Sequence, residues 1–340
     1  MIRWSRRAFL MVWCGWLTIG GLAGTVQETA AQDPPTESRP KYEIEMGTWI
    51  SKGYMRWAHD ASSVAGLGDP TSQLTYKDVG TNVIELTGRA WLTPRWFGRL
   101  NVGGAAIGGG RLTDNDYGSV GGQRLFSSTN SDLSGDSLWY LNADGGFRVA
   151  EYPNHRGWLD LFGGFQWWYT KFHATGLMQV ACDNSAVPPS LGLTCSPAGT
   201  VTNQGETVIT NTANWYSLRA GASTEYRLTR RVSVVGTAAF IPLSIIDNKD
   251  THRLRTSGPN ALQQDPSISI LGWGVGANAD AGLRLAVVKN VFVNVGYRVW
   301  WNYAIDGNVT IHGVNASSEF PLTQFQSIRQ GITASLSYTF

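Results

Sequence analysis

The chain has 340 residues, of which 15% are charged and 11% aromatic, and it contains 40 glycines. Soluble domains usually have about 25% charged residues and about 7% glycine, and disordered chains are poor in aromatic residues. The composition therefore excludes a disordered chain, and the presence of only one long apolar stretch, at residues 8–23, excludes a helical membrane protein.

The first 31 residues have the pattern of an export signal. Three arginines precede the apolar stretch, and a run of small residues before Gln32 offers a cleavage site. The segment also resembles a twin-arginine signal, and either kind of signal predicts export. We therefore predict a signal peptide over residues 1–31, followed by a short linker over residues 32–41.

The formal net charge of the whole chain is +2. Residues 1–31 contain three arginines and one glutamate, so the remaining chain has equal numbers of basic and acidic side chains. Because nucleic-acid-binding proteins present a basic face, we predict no nucleic-acid partner.

Alternation of apolar and small polar residues, which indicates a strand with one apolar and one wet face, recurs along the chain. It is clearest at residues 291–301 and 332–340. The last strand ends on Phe340, which resembles the assembly signal of bacterial outer-membrane barrels. Ten strands are predicted, at residues 42–57, 74–92, 96–112, 136–149, 157–175, 213–228, 231–247, 268–287, 291–308 and 325–340.

The connections between these strands alternate between short turns and long polar loops. Such alternation is the layout of an outer-membrane barrel whose long loops are extracellular. We therefore predict an all-β fold, a ten-stranded antiparallel outer-membrane β-barrel over residues 42–340 with a catalytic extracellular rim. A soluble all-β sandwich would also alternate, but it explains the terminal Phe340 less well. The long loops are predicted at residues 58–73, 113–135, 176–212, 248–267 and 309–324.

The predicted strands are longer than a membrane requires. About 9–11 residues of strand cross the bilayer, whereas most of these strands have roughly 15–20 residues. We therefore expect part of the barrel to extend beyond the apolar band, as a rigid extracellular platform for a functional site.

Two cysteines remain after the signal, which contains Cys14. Cys182 and Cys195 lie in a stretch rich in Pro, Ser and Gly. In an exported protein this pattern predicts a disulfide within a loop. A metal-binding pair is the alternative, although neither cysteine has a neighbouring histidine or a second cysteine.

Two pairs of polar residues open the second and fourth long loops. Asp114 and Asp116 follow the third strand, and Asp250 and His252 follow the seventh. Residues two apart on an extended backbone point to the same face, and the third and seventh strands of a ten-stranded ring lie almost opposite each other. The two pairs are therefore predicted to face each other across the mouth of the barrel.

These four residues can support peptide hydrolysis by an activated water. No G-x-S-x-G nucleophile motif is present and both remaining cysteines are predicted to be bonded, so water is the remaining nucleophile. His252 can take its proton while Asp250 orients the ring. Asp114 and Asp116 should have at least one raised pKa, because they are like charges, and they could hold the water. The Asp114–Asp116 pair alone also fits turn chemistry or a loose Ca²⁺ site, the Asp250–His252 pair alone is no more specific, and the four together could bind a metal.

The remaining histidines are weaker candidates. His155 lies in a predicted periplasmic turn, and His59 and His312 lie in predicted outer loops without an aspartate at spacing two. His173, near the top of the fifth strand, is placed to contact the site or the solvated rim.

This arrangement resembles the omptin family of outer-membrane proteases. Omptins are ten-stranded barrels with an Asp-x-Asp pair in the second outer loop, matched by Asp114 and Asp116, and an Asp-x-His pair in the fourth, matched by Asp250 and His252. The resemblance implies an aspartic-type endopeptidase in the outer membrane that acts on peptides or proteins at the cell surface. It implies His252 as base, Asp250 as its partner, an aspartate pair that positions water, and no metal or other cofactor. We also expect a monomer.

The sequence departs from the omptin pattern at the substrate pocket. Omptins cleave between basic residues and use acidic groups in this pocket. One acid comes from the upper first strand, where residues 54–57 contain none, and the other lies two residues before Asp250, where this chain has Asn248. Asp247, one residue further back, is the candidate substitute for substrate binding.

Omptins also bind lipopolysaccharide through a basic and aromatic patch on the outer wall. Residues 165–171 keep the aromatic residues without the expected Arg and Glu, while Arg227 follows Tyr226 as in the family. Outer-membrane lipid is therefore an expected partner, and dependence on lipopolysaccharide stays open.

Two other classes of function stay open. The first is an inactive outer-membrane barrel, such as an adhesin, a structural protein or a pore, whose site has drifted. The second is a lipid-modifying barrel hydrolase, which would place its catalytic groups on the lipid-facing wall rather than at loop openings.

Overall fold

The computed structural model of the protein describes residues 41–258 and 260–340. The predicted signal peptide, residues 1–31, lies outside the described residues, as does all of the predicted linker except Lys41. In the described part of the chain, no helix is long and apolar enough to cross a lipid bilayer.

The described chain consists almost entirely of strands. Three short 3₁₀ helices lie in the connections, at Pro153–His155, Asn184–Ala186 and Pro189–Leu191. The strands are β1 (Tyr42–His59), β2 (Leu67–Trp91), β3 (Trp96–Gly118), β4 (Arg124–Ser134), β5 (Ser137–Glu151), β6 (Gly157–Cys182), β7 (Val201–Arg227), β8 (Val232–His252), β9 (Ile268–Val288), β10 (Val291–His312) and β11 (Ser317–Thr339).

The strands form a closed antiparallel barrel, because β1 pairs with both β2 and β11. β4 and β5 share one position in the wall: β3 and β6 each pair with β4 towards the long loops and with β5 towards the short turns. Only Gly135 and Asp136 separate β4 from β5. The wall therefore has ten positions, and the predicted ten-stranded antiparallel barrel is confirmed.

The strands at the long-loop end continue further than predicted. β3 extends to Gly118 and β8 to His252, through segments predicted as loops. The backbone ladder is intact there, since Asp250 of β8 still pairs with Asn211 of β7. The predicted loops begin too early, because polar residues replace apolar ones on the outer face at this end. This replacement removes the alternation but leaves the hydrogen bonds between strands in place.

Side chains fill the lumen in two layers. In the half nearer the long loops, the lumen contains a large apolar cluster of fully buried rings and aliphatic side chains. The largest side chains of this cluster that are fully buried are Trp49, Trp57, Tyr76, Trp215 and Phe325.

Nearer the short turns, the lumen contains arginine–carboxylate clusters. Asp144 accepts hydrogen bonds from Arg99 Nη2 at 2.8 Å and from Arg219 Nη2 at 2.6 Å. Asp160, which is fully buried, similarly binds Arg148. The outer surface of the wall is apolar at this level, with exposed side chains that include Ile84, Leu86, Leu283, Ile332 and Leu336.

The connection between β6 and β7 is fastened to the rim of the barrel. Cys182 and Cys195 form a disulfide, and the side-chain oxygen of Asn184 accepts a hydrogen bond from the backbone nitrogen of Cys195 at 2.9 Å. Asp183 forms an ion pair with Arg124 of β4. These contacts hold the connection against the barrel at the long-loop end.

Candidate active site

The four residues of the predicted site lie near the ends of two strands, at the long-loop end. Asp114 and Asp116 lie on β3, and Asp250 and His252 lie on β8. Since alternate residues of a strand share a face, each pair points to one side of the wall. For β8 this side is the lumen, because Asp250 is fully buried while the adjacent Lys249 is exposed on the outside.

Asp250 is held by neighbours on both sides of the lumen. Its Oδ1 lies 3.5 Å from His252 Nε2. Its Oδ2 accepts a hydrogen bond from Asn211 Nδ2 at 2.8 Å and lies 3.5 Å from the hydroxyl of Tyr76. Asn211 is the direct cross-strand partner of Asp250, which explains why this amide reaches the carboxylate. The orientation of Asp250 towards His252 is therefore fixed by contacts from β2 and β7.

Asp114 and Asp116 form a partly buried acidic pair. The hydroxyl of Ser72 on β2 donates to Asp114 Oδ1 at 3.4 Å. Burial, together with the charges of Asp116 and Asp250, holds the pKa of Asp114 well above its usual range, and burial also raises the pKa of Asp116. The pair therefore retains a proton more readily than an isolated aspartate.

Tyr76 connects the two pairs. Its ring is fully buried and stacks on Phe172, with the ring centroids 4.9 Å apart. Its pKa is raised well above the usual range by burial and by the negative charges of Asp250 and Asp114. The Tyr76 hydroxyl thus contacts Asp250 and interacts electrostatically with Asp114, so the pairs on β3 and β8 lie in the same part of the lumen.

Burial of the site favours the uncharged forms of Asp250 and His252. Burial raises the pKa of Asp250 to about 7, opposed by hydrogen bonds from Asn211 and Tyr76. Burial lowers the pKa of His252, and the nearby charge of Arg255 lowers it further. His252 is therefore a neutral imidazole near pH 7, with a lone pair available to accept a proton.

The prediction of Asp247 as a substrate-binding residue was wrong. The ladder between β7 and β8 is continuous from Asp247 to Asp250, so the two residues, three apart, point to opposite faces. Asp247 pairs with Asn214 and with Leu271, whose side chain is exposed on the outer wall. It therefore cannot line a pocket inside the barrel.

Asn248 occupies the lumen-facing position beside Asp247. It is fully buried and exchanges side-chain hydrogen bonds with Asn211, at 2.8 Å and 3.2 Å. The lumen-facing position two residues before Asp250 thus carries a neutral amide that pairs with Asn211, and not an acidic group.

His155 lies in the short connection between β5 and β6, and the three other remaining histidines lie in different settings. His173 lies on the outer face, where its Nε2 is 3.1 Å from Asp136 Oδ2, so it does not contact the site. His312, at the end of β10, interacts with the hydroxyl of Ser269 at 2.9 Å. His59, the last residue of β1, is buried in the lumen near His252.

Sequence reasoning missed several residues of the site. His59 and Asn211 fell in predicted loops. Tyr76 looked like one more apolar residue on the buried face of β2. Arg255, in the connection after β8, interacts with the charges of both Asp114 and Asp116. A period-two count continued past the predicted strand ends would have placed His59 on the same face as the buried Trp57.

In the described part of the chain, no cluster of three or more His, Cys, Asp or Glu side chains could hold a metal ion. The donors present fit acid–base chemistry, because Asp250 and His252 lie close together and the acidic pair is placed beyond Tyr76.

The fold is similar to that of a known protease. The outer membrane protease OmpT from Escherichia coli matches with a TM-score of 0.66 and 16% sequence identity, over 90% of this chain and 98% of that chain. The translocator domain of the autotransporter NalP from Neisseria meningitidis matches over 90% of each chain at 8% identity, but with a TM-score of only 0.36. No protein-family model and no curated protein sequence matches the chain. This chain therefore has an omptin-like barrel fold.

Proposed function

We propose that the protein is an outer-membrane endopeptidase of the omptin type, which hydrolyses peptide bonds with an activated water. The observation that carries this proposal is the meeting of two polar pairs in the lumen: Asp250 lies beside His252 and the hydroxyl of Tyr76, and Asp114 interacts electrostatically with both Asp250 and Tyr76. The omptin-like fold supports the same function.

In the proposed reaction, His252 is the general base. Its Nε2 faces Asp250 Oδ1 at 3.5 Å, so Nε2 carries the hydrogen and the lone pair on Nδ1 takes a proton from water. The water oxygen bonds to the peptide carbonyl carbon, and the π electrons of the C=O bond move to its oxygen. Asp250 stabilises the imidazolium, which returns the proton to the amine as the C–N bond breaks.

Asp114 and Asp116 hold the water from the other side. Because burial and mutual repulsion raise the pKa of Asp114, the pair keeps one proton and offers both a donor and an acceptor to the water. The aspartates thereby orient a water lone pair towards the substrate carbonyl while His252 removes the proton.

We propose an outer-membrane location with the site facing the exterior. Apolar side chains cover the outer surface around the half of the barrel nearer the short turns, whereas the outward neighbours of the site, Thr113 and Lys249, are polar. Lys41 and Phe340 meet at the opposite end, where their backbones hydrogen-bond at 2.9 Å. Peptides or proteins at the cell surface are the proposed substrates. A monomer suffices, because one barrel contains all four residues.

The structure argues against two of the alternatives, a pore and a lipid-modifying hydrolase. Buried ion pairs around Asp144 and Asp160 occupy the lumen, which is unsuited to an open pore. A lipid-modifying hydrolase would present its catalytic groups to the lipid, whereas Asp250 and His252 face the lumen.

The test is cleavage of a randomised peptide library by the refolded protein. We expect cleavage that persists with a chelator and with a serine-protease inhibitor, because neither a metal nor a serine nucleophile takes part in the proposed reaction. The variants His252→Ala and Asp114→Ala should lose at least about 10²-fold in kcat. Assays with and without lipopolysaccharide will measure dependence on outer-membrane lipid.

Asp247→Ala is the matched control. It removes a carboxylate from the same strand as Asp250, but on the outer face, and should leave kcat unchanged. Equal turnover by the wild type, His252→Ala and Asp114→Ala would exclude the proposed roles of these residues.

A further inference from the structure

His59 lies in the same row of side chains as the acidic pair. On the barrel wall, His59 of β1 is the cross-strand partner of Ser72 on β2, and Ser72 is the partner of Asp116 on β3. Directly paired residues of antiparallel strands project to the same face, with Cβ atoms about 5 Å apart. The hydroxyl of Ser72 also contacts Asp114. Ser72, the neighbour of His59 on the adjacent strand, therefore connects His59 to the proposed water-binding aspartates.

The imidazole of His59 is buried, and its orientation is fixed by aromatic neighbours. Only 3% of the residue is exposed, and its ring packs against Trp57 and Phe320, with centroid distances of 6.1 Å and 5.9 Å. Neither ring nitrogen has a hydrogen-bond partner among the described residues. Since buried polar atoms are almost always hydrogen-bonded, this ring fits a bound polar ligand, and the cross-strand row through Ser72 to Asp116 places the ring beside the site.

The two histidines of the site differ in their surroundings. His252 has the carboxylate of Asp250 at 3.5 Å, which can stabilise a positive charge on its ring. Among the described residues, no carboxylate lies within hydrogen-bonding distance of His59. The charge of Asp60 acts on it, but burial dominates and lowers its pKa to about 4. His59 is therefore a neutral imidazole near pH 7, with one N–H to donate.

We propose that His59 is a further catalytic residue, whose neutral imidazole N–H donates a hydrogen bond to the substrate carbonyl oxygen as that oxygen becomes an anion. The proposal rests on the proposed peptidase function. As the C–O bond to water forms, the proton of the water moves to His252 and the C=O π electrons move to the oxygen that faces His59. When the C–N bond breaks, these electrons re-form the C=O bond, and His59 keeps its proton throughout. A fixed donor of this kind stabilises the transition state more than the substrate.

Arg255 is the competing donor. Its guanidinium interacts with the charges of Asp114 and Asp116, but it belongs to an exposed connection and one of its nitrogens donates to the carbonyl of Asn260 at 3.1 Å. His59 is the better fixed of the two, because it is buried and the rings of Trp57 and Phe320 pack against it.

The test compares His59→Phe, His59→Gln and Arg255→Gln on one peptide that the wild type cleaves. Phe keeps the aromatic packing and removes the donor, so kcat should fall by about 10²–10³-fold, with KM changed by less than about twofold because the donor acts in the transition state. The pH dependence should keep its shape, since His59 transfers no proton. Gln restores an N–H donor and should recover about tenfold in kcat.

His312→Phe is the matched control, since this histidine lies at the same end of the barrel but interacts with Ser269. It should retain the wild-type kcat. Circular dichroism and the thermal unfolding temperature will show that each variant is folded.

Other results would overturn either the role of His59 or the proposed peptidase function. Full activity in folded His59→Phe would exclude His59 as the donor, as would a kcat loss confined to Arg255→Gln. A change of KM alone would make His59 a substrate-binding residue and also overturn the proposal. A wild type that cleaves no peptide would overturn the proposed function itself, and this result is visible before any variant is compared.

Discussion

Asp250 shows how burial of a single carboxyl sets the working pH of the site. Its pKa is raised to about 7, so below that pH it is protonated and cannot stabilise an imidazolium on His252. We expect kcat/KM to rise as the pH rises through about 7, in a pH–rate profile measured from about pH 5 to about pH 9. A profile that is flat over this range would contradict the role of Asp250.

Substitution of Asn211 should shift that pH–rate profile in a predictable direction. Its hydrogen bond to Asp250 favours the carboxylate and lowers its pKa, so Asn211→Ala should move the rise in kcat/KM to higher pH. The control is Asn214→Ala, because Asn214 lies on the outer face of the same strand and accepts a hydrogen bond from Trp167. A shift to lower pH in Asn211→Ala, or an equal shift in both variants, would contradict this assignment.

His59 links pH to stability. Burial lowers its pKa from 6.5 to about 4, and the other titratable groups that act near it are Asp60 and His252. Between these two values the unfolded chain binds a proton at His59 and the folded chain does not, so acid favours unfolding. The free energy of unfolding should therefore fall by up to about 3 kcal/mol from this residue as the pH falls from about 6.5 to about 4.

Urea unfolding in detergent at several pH values measures this effect. The His59→Phe variant should lose this share of the decrease, because it has no group to protonate, and His312→Phe should retain it. The same pH dependence in both variants would show that His59 binds its proton equally well in the folded and unfolded chain.

At the scale of the strand, period-two alternation made much of the barrel predictable. The alternation at residues 291–301 and 332–340 lies in β10 and β11, and the predicted ten strands match the ten positions of the wall. Spacing of two also identified the Asp250–His252 pair, which shares one face of β8. These inferences succeeded because side-chain direction along a strand depends only on local geometry.

The same rule explains what was not predicted. The strand ends were set where apolar alternation stops, yet the ladders of β1 and β7 continue through His59 and Asn211. Asp247 was proposed because it is near Asp250 in sequence, but the ladder places it on the outer face. Contacts across the lumen, such as that of Tyr76 with Asp250, join residues 174 positions apart and leave no local signal.

The continuation of the strands matters for function. Because Asp114 and Asp250 lie on paired strands rather than in loops, their backbones are held by neighbours on both sides. Sites built on such elements are more rigid than sites on loops. This rigidity suits a reaction in which several groups have to hold one water in a single geometry.

For the molecule as a whole, the two layers of the lumen divide stability from chemistry. The charged layer lies nearer the short turns, where Asp144 binds both Arg99 and Arg219. The candidate site lies at the other end, with the apolar cluster between them. A change in the charged layer should therefore alter stability without altering the reaction.

Asp144→Ala tests this division. The substitution leaves two buried guanidinium groups without their carboxylate, and the free energy of unfolding should fall by about 3–5 kcal/mol, measured by urea unfolding in detergent. Asp183→Ala, which breaks the exposed ion pair with Arg124 at the rim, should have a much smaller effect because solvent already screens that pair. The folded fraction of Asp144→Ala should keep the wild-type kcat on the same peptide. Loss of kcat in that folded fraction would show that the charged layer takes part in the chemistry, and the division between the two layers would then be wrong.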